Sequence, residues 1–254
     1  MNSLCRDASG VLYSAREKRF PDGSREVLVC EKPIFRAEGW EEQGRRAGKE
    51  RRPREPPSPE GPGRAMRRAR AQVRELALCN PFRWFVTLTL DREKIDRYDV
   101  GEITRRLNVW LDNNVRRRGL AYVLVPERHK DGAVHFHGLF TDSLEAVDSG
   151  HQDGGGHAVY NLPRWGYGFS TAIELYGDYG RAVSYVCKYI GKGTEKIGGR
   201  WYYSGGQLAR PEVSYFDMSL RQAQEMPGAY SFTVEAAGLG FVGYRLPPEK
   251  SEGV

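Results

Sequence analysis

Hydrophobic and polar positions along the chain alternate with two different periods, and the change of period marks out the elements. RWFVTLTL at 83–90 is β-branched and aromatic, and its second half alternates, which predicts a strand. Val100–Arg118 places Ile103, Leu107, Trp110, Leu111 and Val115 on one face and arginines on another, which predicts a helix. AYVLVP at 121–126 and AVHFHGLF at 133–140 predict two strands joined at the turn Lys130-Asp131-Gly132. GFSTAIEL at 168–175 predicts a further strand, and residues 178–192 a helix that stops at Gly191-Lys192-Gly193. WYYSGG and VSYF read as short edge strands or a hairpin, and the glycine-rich SGHQDGGGHAVYNLP between Phe140 and Gly168 reads as a mobile loop. The order strand, helix, three strands, helix predicts an α+β fold with helices packed on a central antiparallel sheet.

The N-terminal third is different in character. VLYSA and REVLVCE flank Pro21-Asp22-Gly23 and predict a hairpin within residues 1–43. A proline-rich connector follows, and then Ala69, Val73, Leu76 and Ala77 recur at helical spacing until Cys79-Asn80-Pro81 ends the run. On pattern alone, residues 1–63 form an extension with a linker, 64–245 the main domain and 246–254 a frayed tail.

Charge sharpens this picture. The net charge is +6, and between Arg45 and Arg74 eleven basic residues face three acids. That stretch is either a solvated linker or an arm that contacts phosphates; as an arm it would use Arg67, Arg68 and Arg70, with Lys192 further along. The four cysteines, at 5, 30, 79 and 187, contain no CxxC pair, which argues against a zinc ribbon or a disulfide framework. No apolar run approaches the ~18 residues that span a bilayer. The N-terminus lacks the apolar core of a signal peptide, so a soluble, cytoplasmic protein without a membrane partner is expected.

Three of the five histidines, His129, His135 and His137, fall within nine residues. Residues two apart on a strand share a face, so His135 and His137 present their imidazoles together. By themselves they also fit two surface histidines. Glu127 lies across the turn, where a hairpin brings it alongside them. A carboxylate with two imidazoles and open coordination positions suits Mg²⁺ or Mn²⁺ and the activation of a phosphodiester. His129 either joins that site or is a polar residue near the turn. In SYVCKYIGK, Tyr185, Lys188, Tyr189 and Lys192 line one helix face. Without a metal site this is a surface helix. With one, a tyrosine becomes a nucleophile for phosphorus, and Lys188 supplies the cation that favours its phenolate.

FVTLTLD at 85–91, HFH at 135–137 and YVCKYIGK at 185–192 stand in the order of the three motifs of HUH endonucleases, and over about 64–216 the chain resembles rolling-circle replication initiators of small phages and bacterial plasmids. VPERHKDGAVHFHGLF looks especially like replication-associated proteins of filamentous-type phages. The resemblance implies a ferredoxin/RRM-like HUH fold and cleavage of single-stranded or supercoil-extruded origin DNA, leaving a 5′-phosphotyrosine and a 3′-hydroxyl for a host polymerase. It implies Tyr185 and Tyr189 as a two-tyrosine nucleophile, His135, His137 and Glu127 as metal ligands, and Thr87 and Thr89 as supports of that site or contacts to DNA, unless they only pack the strand. No Walker A sequence is present, so unwinding would fall to a host helicase. Transposases and mobilisation relaxases of the same chemistry are alternatives, as is a non-catalytic origin-binding protein.

Overall fold

The computed structural model describes residues 10–37, 61–175, 179–189, 196–234 and 238–248; the proline-rich connector, the predicted helix end at Lys192 and the tail beyond 248 lie outside them. The fold is α+β, built on two antiparallel sheets with flanking helices. The chain divides into two units, residues 1–56 with 211–254, and residues 57–210.

In the first unit the predicted hairpin forms from β1 (Gly10–Arg19) and β2 (Arg25–Ala37). Its neighbours come from the far end of the chain: β10 (Glu212–Phe216), β11 (Tyr230–Val234) and β12 (Leu239–Leu246) complete a sheet of order β10-β1-β2-β12-β11. A short helix (Leu220–Gln224), capped by Ser219, contributes Ala223 to the core of Ala15, Val27, Val29, Val242 and Tyr244.

The second unit holds helix α1 (Gly61–Cys79), β3 (Trp84–Leu90), α2 (Val100–Arg118), β4 (Tyr122–Arg128) and β5 (Val134–Phe140). These are followed by β6 (Val147–Gln152), β7 (Ala158–Asn161), β8 (Gly168–Glu174), α3 (Tyr179–Tyr189) and β9 (Tyr203–Gly205). Its seven strands run in the order β6-β7-β8-β3-β5-β4-β9. The glycine-rich segment expected to be a loop is the hairpin β6–β7 at the sheet edge. Its turn is tied by Asp153, whose carboxylate accepts from the amides of Gly155 and His157. The sequence hides these strands because an exposed edge hairpin needs no apolar alternation. VSYF and WYYSGG do become edge strands, but in different sheets.

Alternation along β3 sorts the two faces. Trp84, Val86, Leu88 and Leu90 pack with Ile103, Leu107 and Leu111 of α2. That helix is fixed at its ends by Asp99, which accepts from the Glu102 amide, and by left-handed Gly119. On the other face, Val123, Val125 and Leu139 pack with Ala69, Val73, Leu76 and Ala77 of α1 and Val183, Val186 and Cys187 of α3. Helix α1 has arginines at 64, 67, 68, 70 and 74, and like charges three or four apart cost about 0.2–0.5 kcal/mol per pair. Burying Val73 and Leu76 completely contributes about 1.5–3 kcal/mol each, so packing outweighs the repulsion and the arginines are held facing outward.

The Tyr179 hydroxyl joins the two helices by donating to the carbonyls of Ala77 and Asn80, each at 2.9 Å. Burial pushes this phenol, like that of Tyr122, up to about 12. Above pH ~10 the unfolded chain releases these protons while the folded chain retains them, so stability falls as pH rises through 10 towards 12. Tyr179→Phe is expected to destabilise the second unit at neutral pH by about 1–3 kcal/mol, because two carbonyls lose their donor, and to flatten part of the alkaline loss. Urea denaturation at a series of pH values measures both; an unchanged midpoint at neutral pH would show that this clasp contributes nothing.

Candidate metal and tyrosine site

The hairpin β4–β5 is the foundation of the site. Its turn closes through the His129 amide to Ala133 and the Gly132 amide to His129, and Gly132 takes φ +86°, a conformation glycine adopts without steric cost. The resulting register sets Glu127 opposite His135 and Val125 opposite His137. Gly138 lets the two strands approach, since a Cβ there would collide with the Val123 carbonyl oxygen. Strand β3, on the other side of β5, pairs Thr87 with His137 and Thr89 with His135.

All five side chains lie on the face covered by α1 and α3. Glu127 Oε2 is 3.2 Å from Nε2 of His135 and 3.2 Å from Nε2 of His137. Both imidazoles are buried, and the three ligand atoms lie within 4.8 Å of one another. The donor set, one carboxylate oxygen and two imidazole nitrogens around a common point, fits a divalent cation with coordination positions left open. Thr87 Oγ1 stands 3.0 Å from Nδ1 of His137. With Nδ1–H donating to that hydroxyl, Nε2 keeps its lone pair for an ion, and the ring is held in orientation. The exposed His129 stacks on the His135 ring at 3.7 Å between centroids.

Helix α3 brings the two tyrosines over this group. The Tyr189 ring stacks on His137 at 3.9 Å and 20°, and its hydroxyl donates to the Tyr185 hydroxyl at 2.7 Å. Burial first, and then the hydrogen bond to Tyr185 and the nearby Glu127 charge, hold the Tyr189 phenol well above the usual tyrosine range. The two differ sharply in access: Tyr185 is 49% exposed and Tyr189 6%. Phe85 supports both, with ring centroids 5.4 Å from Tyr185, 6.4 Å from Tyr189 and 6.0 Å from His137. Each such aromatic pair contributes about 0.5–1.5 kcal/mol beyond its buried area. Phe85 escaped the sequence reading as a site residue; the available signal was its two-residue offset from Thr87, which puts it on the same face.

Of the residues predicted to act here, Glu127, His135, His137, Thr87, Thr89, Tyr185 and Tyr189 share one sheet face or the helix above it. Lys188 is exposed on α3, and Arg67, Arg68 and Arg70 are exposed on α1. Residues 83–194, somewhat under half the chain, match a family model described as replication-associated protein, of the ORF2 type. That segment contains every residue of the metal and tyrosine group. No curated protein and no solved structure matches the chain.

Thr87→Val keeps the shape of the strand residue and removes the contact to His137. It is expected to lower Mn²⁺ affinity by about 10–100-fold, measured by titration calorimetry. Unchanged affinity would show that the hydroxyl does not orient the ring.

Proposed function

We propose that this chain is a replication initiator that nicks and rejoins single-stranded DNA through a tyrosine ester. The observation that supports the reading most directly is the pair of hydrogen-bonded phenols, one of them stacked on a histidine of the Glu127–His135–His137 group. The match of residues 83–194 to replication-associated proteins agrees with it.

A divalent ion held by Glu127, His135 and His137 would supply Lewis-acid polarisation of a phosphate oxygen. The chain's own residues do the rest. Tyr185, the exposed phenol, meets the incoming strand; as its proton leaves, the Tyr189 O–H donates to the developing phenolate, a charge-assisted bond stronger than its neutral counterpart. Tyr185 Oη forms a bond to phosphorus and the bond from phosphorus to the 3′-oxygen breaks. That oxygen takes up a proton, and the products are a 5′-phosphotyrosine and a free 3′-hydroxyl, the group a DNA polymerase extends. Because one ester replaces another, a 3′-hydroxyl can reverse the step without an energy source. Lys188, a turn beyond Tyr185 and next to Tyr189 in the chain, is the cation nearest in sequence to the charge that develops. While one tyrosine carries the DNA, the other remains for a second exchange, which suits release of a copied circle.

Incubation with Mn²⁺ and single-stranded DNA from the element's own origin is expected to give a protein–DNA adduct that survives denaturation. Tyr185→Phe should reduce adduct more than Tyr189→Phe, and the double variant should give none. Cleavage by the double variant at the wild-type rate would sink the tyrosine mechanism. Salt-sensitive binding without any adduct would favour a non-catalytic origin-binding protein.

A further inference from the structure

Apart from the tyrosine group, helix α1 and the chain leading into β9 enclose an open groove of about 350 Å³ lined by Arg68, Gln72, Lys196, Arg200, Trp201 and Tyr202, with smaller residues between them. Three of these side chains are cations, and none of the ten lining residues is acidic. Ordinary surface arginines do not gather this way around aromatic rings. The side chains are also held in place. The Arg200 guanidinium lies 5.5 Å from the Tyr203 ring centroid, and the Tyr202 hydroxyl donates to the Gln72 carbonyl oxygen at 2.9 Å. The Trp201 indole Nε1 is buried and finds no hydrogen-bond acceptor among the described residues, which leaves a donor for an anionic ligand to satisfy.

The position of the groove says which ligand. Trp201 and Tyr202 pack against the same cluster as Val123, Val125 and Tyr189, so the groove opens on the sheet face that carries the metal group. Strand β9 pairs antiparallel with β4, Tyr203 opposite Leu124, so the chain preceding Tyr203 advances towards the Glu127 end of β4. Leu124 is three residues from Glu127, about 10 Å along a strand. A ligand that reaches from one place to the other must be extended, must carry repeated negative charge, and must offer flat faces to aromatic rings. Single-stranded DNA combines all three.

We infer that this groove is a second DNA subsite, in which Arg68, Lys196 and Arg200 hold phosphates of the strand flanking the cleaved bond and Trp201 and Tyr202 receive its bases. The inference rests on the nucleic-acid reading of the main site and extends it: it assigns work to residues beyond the predicted Arg67, Arg68 and Arg70 arm. Binding here positions the strand and leaves the chemical step to the tyrosine group.

The test is the salt dependence of binding of a fluorescein-labelled single-stranded oligonucleotide to the full chain, followed by anisotropy. Neutralising two exposed groove cations together, Arg68→Gln with Lys196→Gln, should reduce the slope of log affinity against log salt by about 1.4 and weaken binding roughly tenfold at moderate salt. Trp201→Phe, which preserves an aromatic ring in the packing, should weaken binding with little change of slope. The control is Arg116→Gln with Arg118→Gln, two exposed arginines on α2, the helix that covers the opposite sheet face. The inference is overturned if the groove variant binds as the wild type does, or if the control loses as much slope as the groove variant. The outcomes separate from those of the nicking assay. Groove-dependent binding without an adduct removes the tyrosine chemistry and keeps the subsite, whereas adduct formation with groove-independent binding removes the subsite alone.

Discussion

The antiparallel register between β4 and β5 is the constraint on which the site depends. A slip of one residue in that pairing would turn His135 and His137 into the α2 core and leave Glu127 facing a valine or a phenylalanine. The register is held against slippage from both ends. At the turn, Gly132 and the His129–Ala133 pair fix which residues oppose each other. Within the strands, Val123, Val125 and Leu139 must face α1 and α3 while Leu124, Phe136 and Phe140 face α2. The same packing that stabilises the sheet therefore positions the three ligands, and no separate device is needed to aim them.

Burial and access are divided between neighbouring residues. A metal group benefits from buried imidazoles with fixed orientation, but a strand of DNA must still reach it. Helix α3 meets both needs by placing two phenols four residues apart, one packed flat on His137 and one at the surface. The hydrogen bond between them links the dry position to the wet one. Phe85 beneath the pair acts as a floor, so the helix sits on aromatic rings where aliphatic packing gives way to the metal group.

Much of this was legible in the sequence because it follows from periodicity. The two-residue repeat in AVHFHGLF and the four-residue spacing in YVCKY fix faces without reference to the rest of the chain, and Val100–Arg118 carries its caps in its own residues. What stayed hidden depends on contacts distant in sequence. The β6–β7 hairpin is exposed and glycine-rich, so it lacks an apolar signal. VSYF looked like a neighbour of WYYSGG, yet it pairs with β1 near the other end of the chain, a choice no local pattern encodes. The aromatic and basic groove is of the same kind, since Arg68 and Arg200 meet only after β9 has joined the sheet beside β4.

The first sheet bears on how the protein is made. Strand β2 pairs with β12, Cys30 opposite Phe241, so the opening hairpin leaves the ribosome long before its partners exist. A lone two-stranded hairpin is marginal in water and has open edges. Residues 57–210, by contrast, form one continuous stretch that emerges whole before β10. Vectorial synthesis therefore completes the metal and tyrosine group first and the five-stranded sheet last. A product that stops after Arg210 would retain every ligand and both phenols while displaying the unsatisfied edges of β1 and β2, which makes incomplete chains a source of association rather than merely of lost activity.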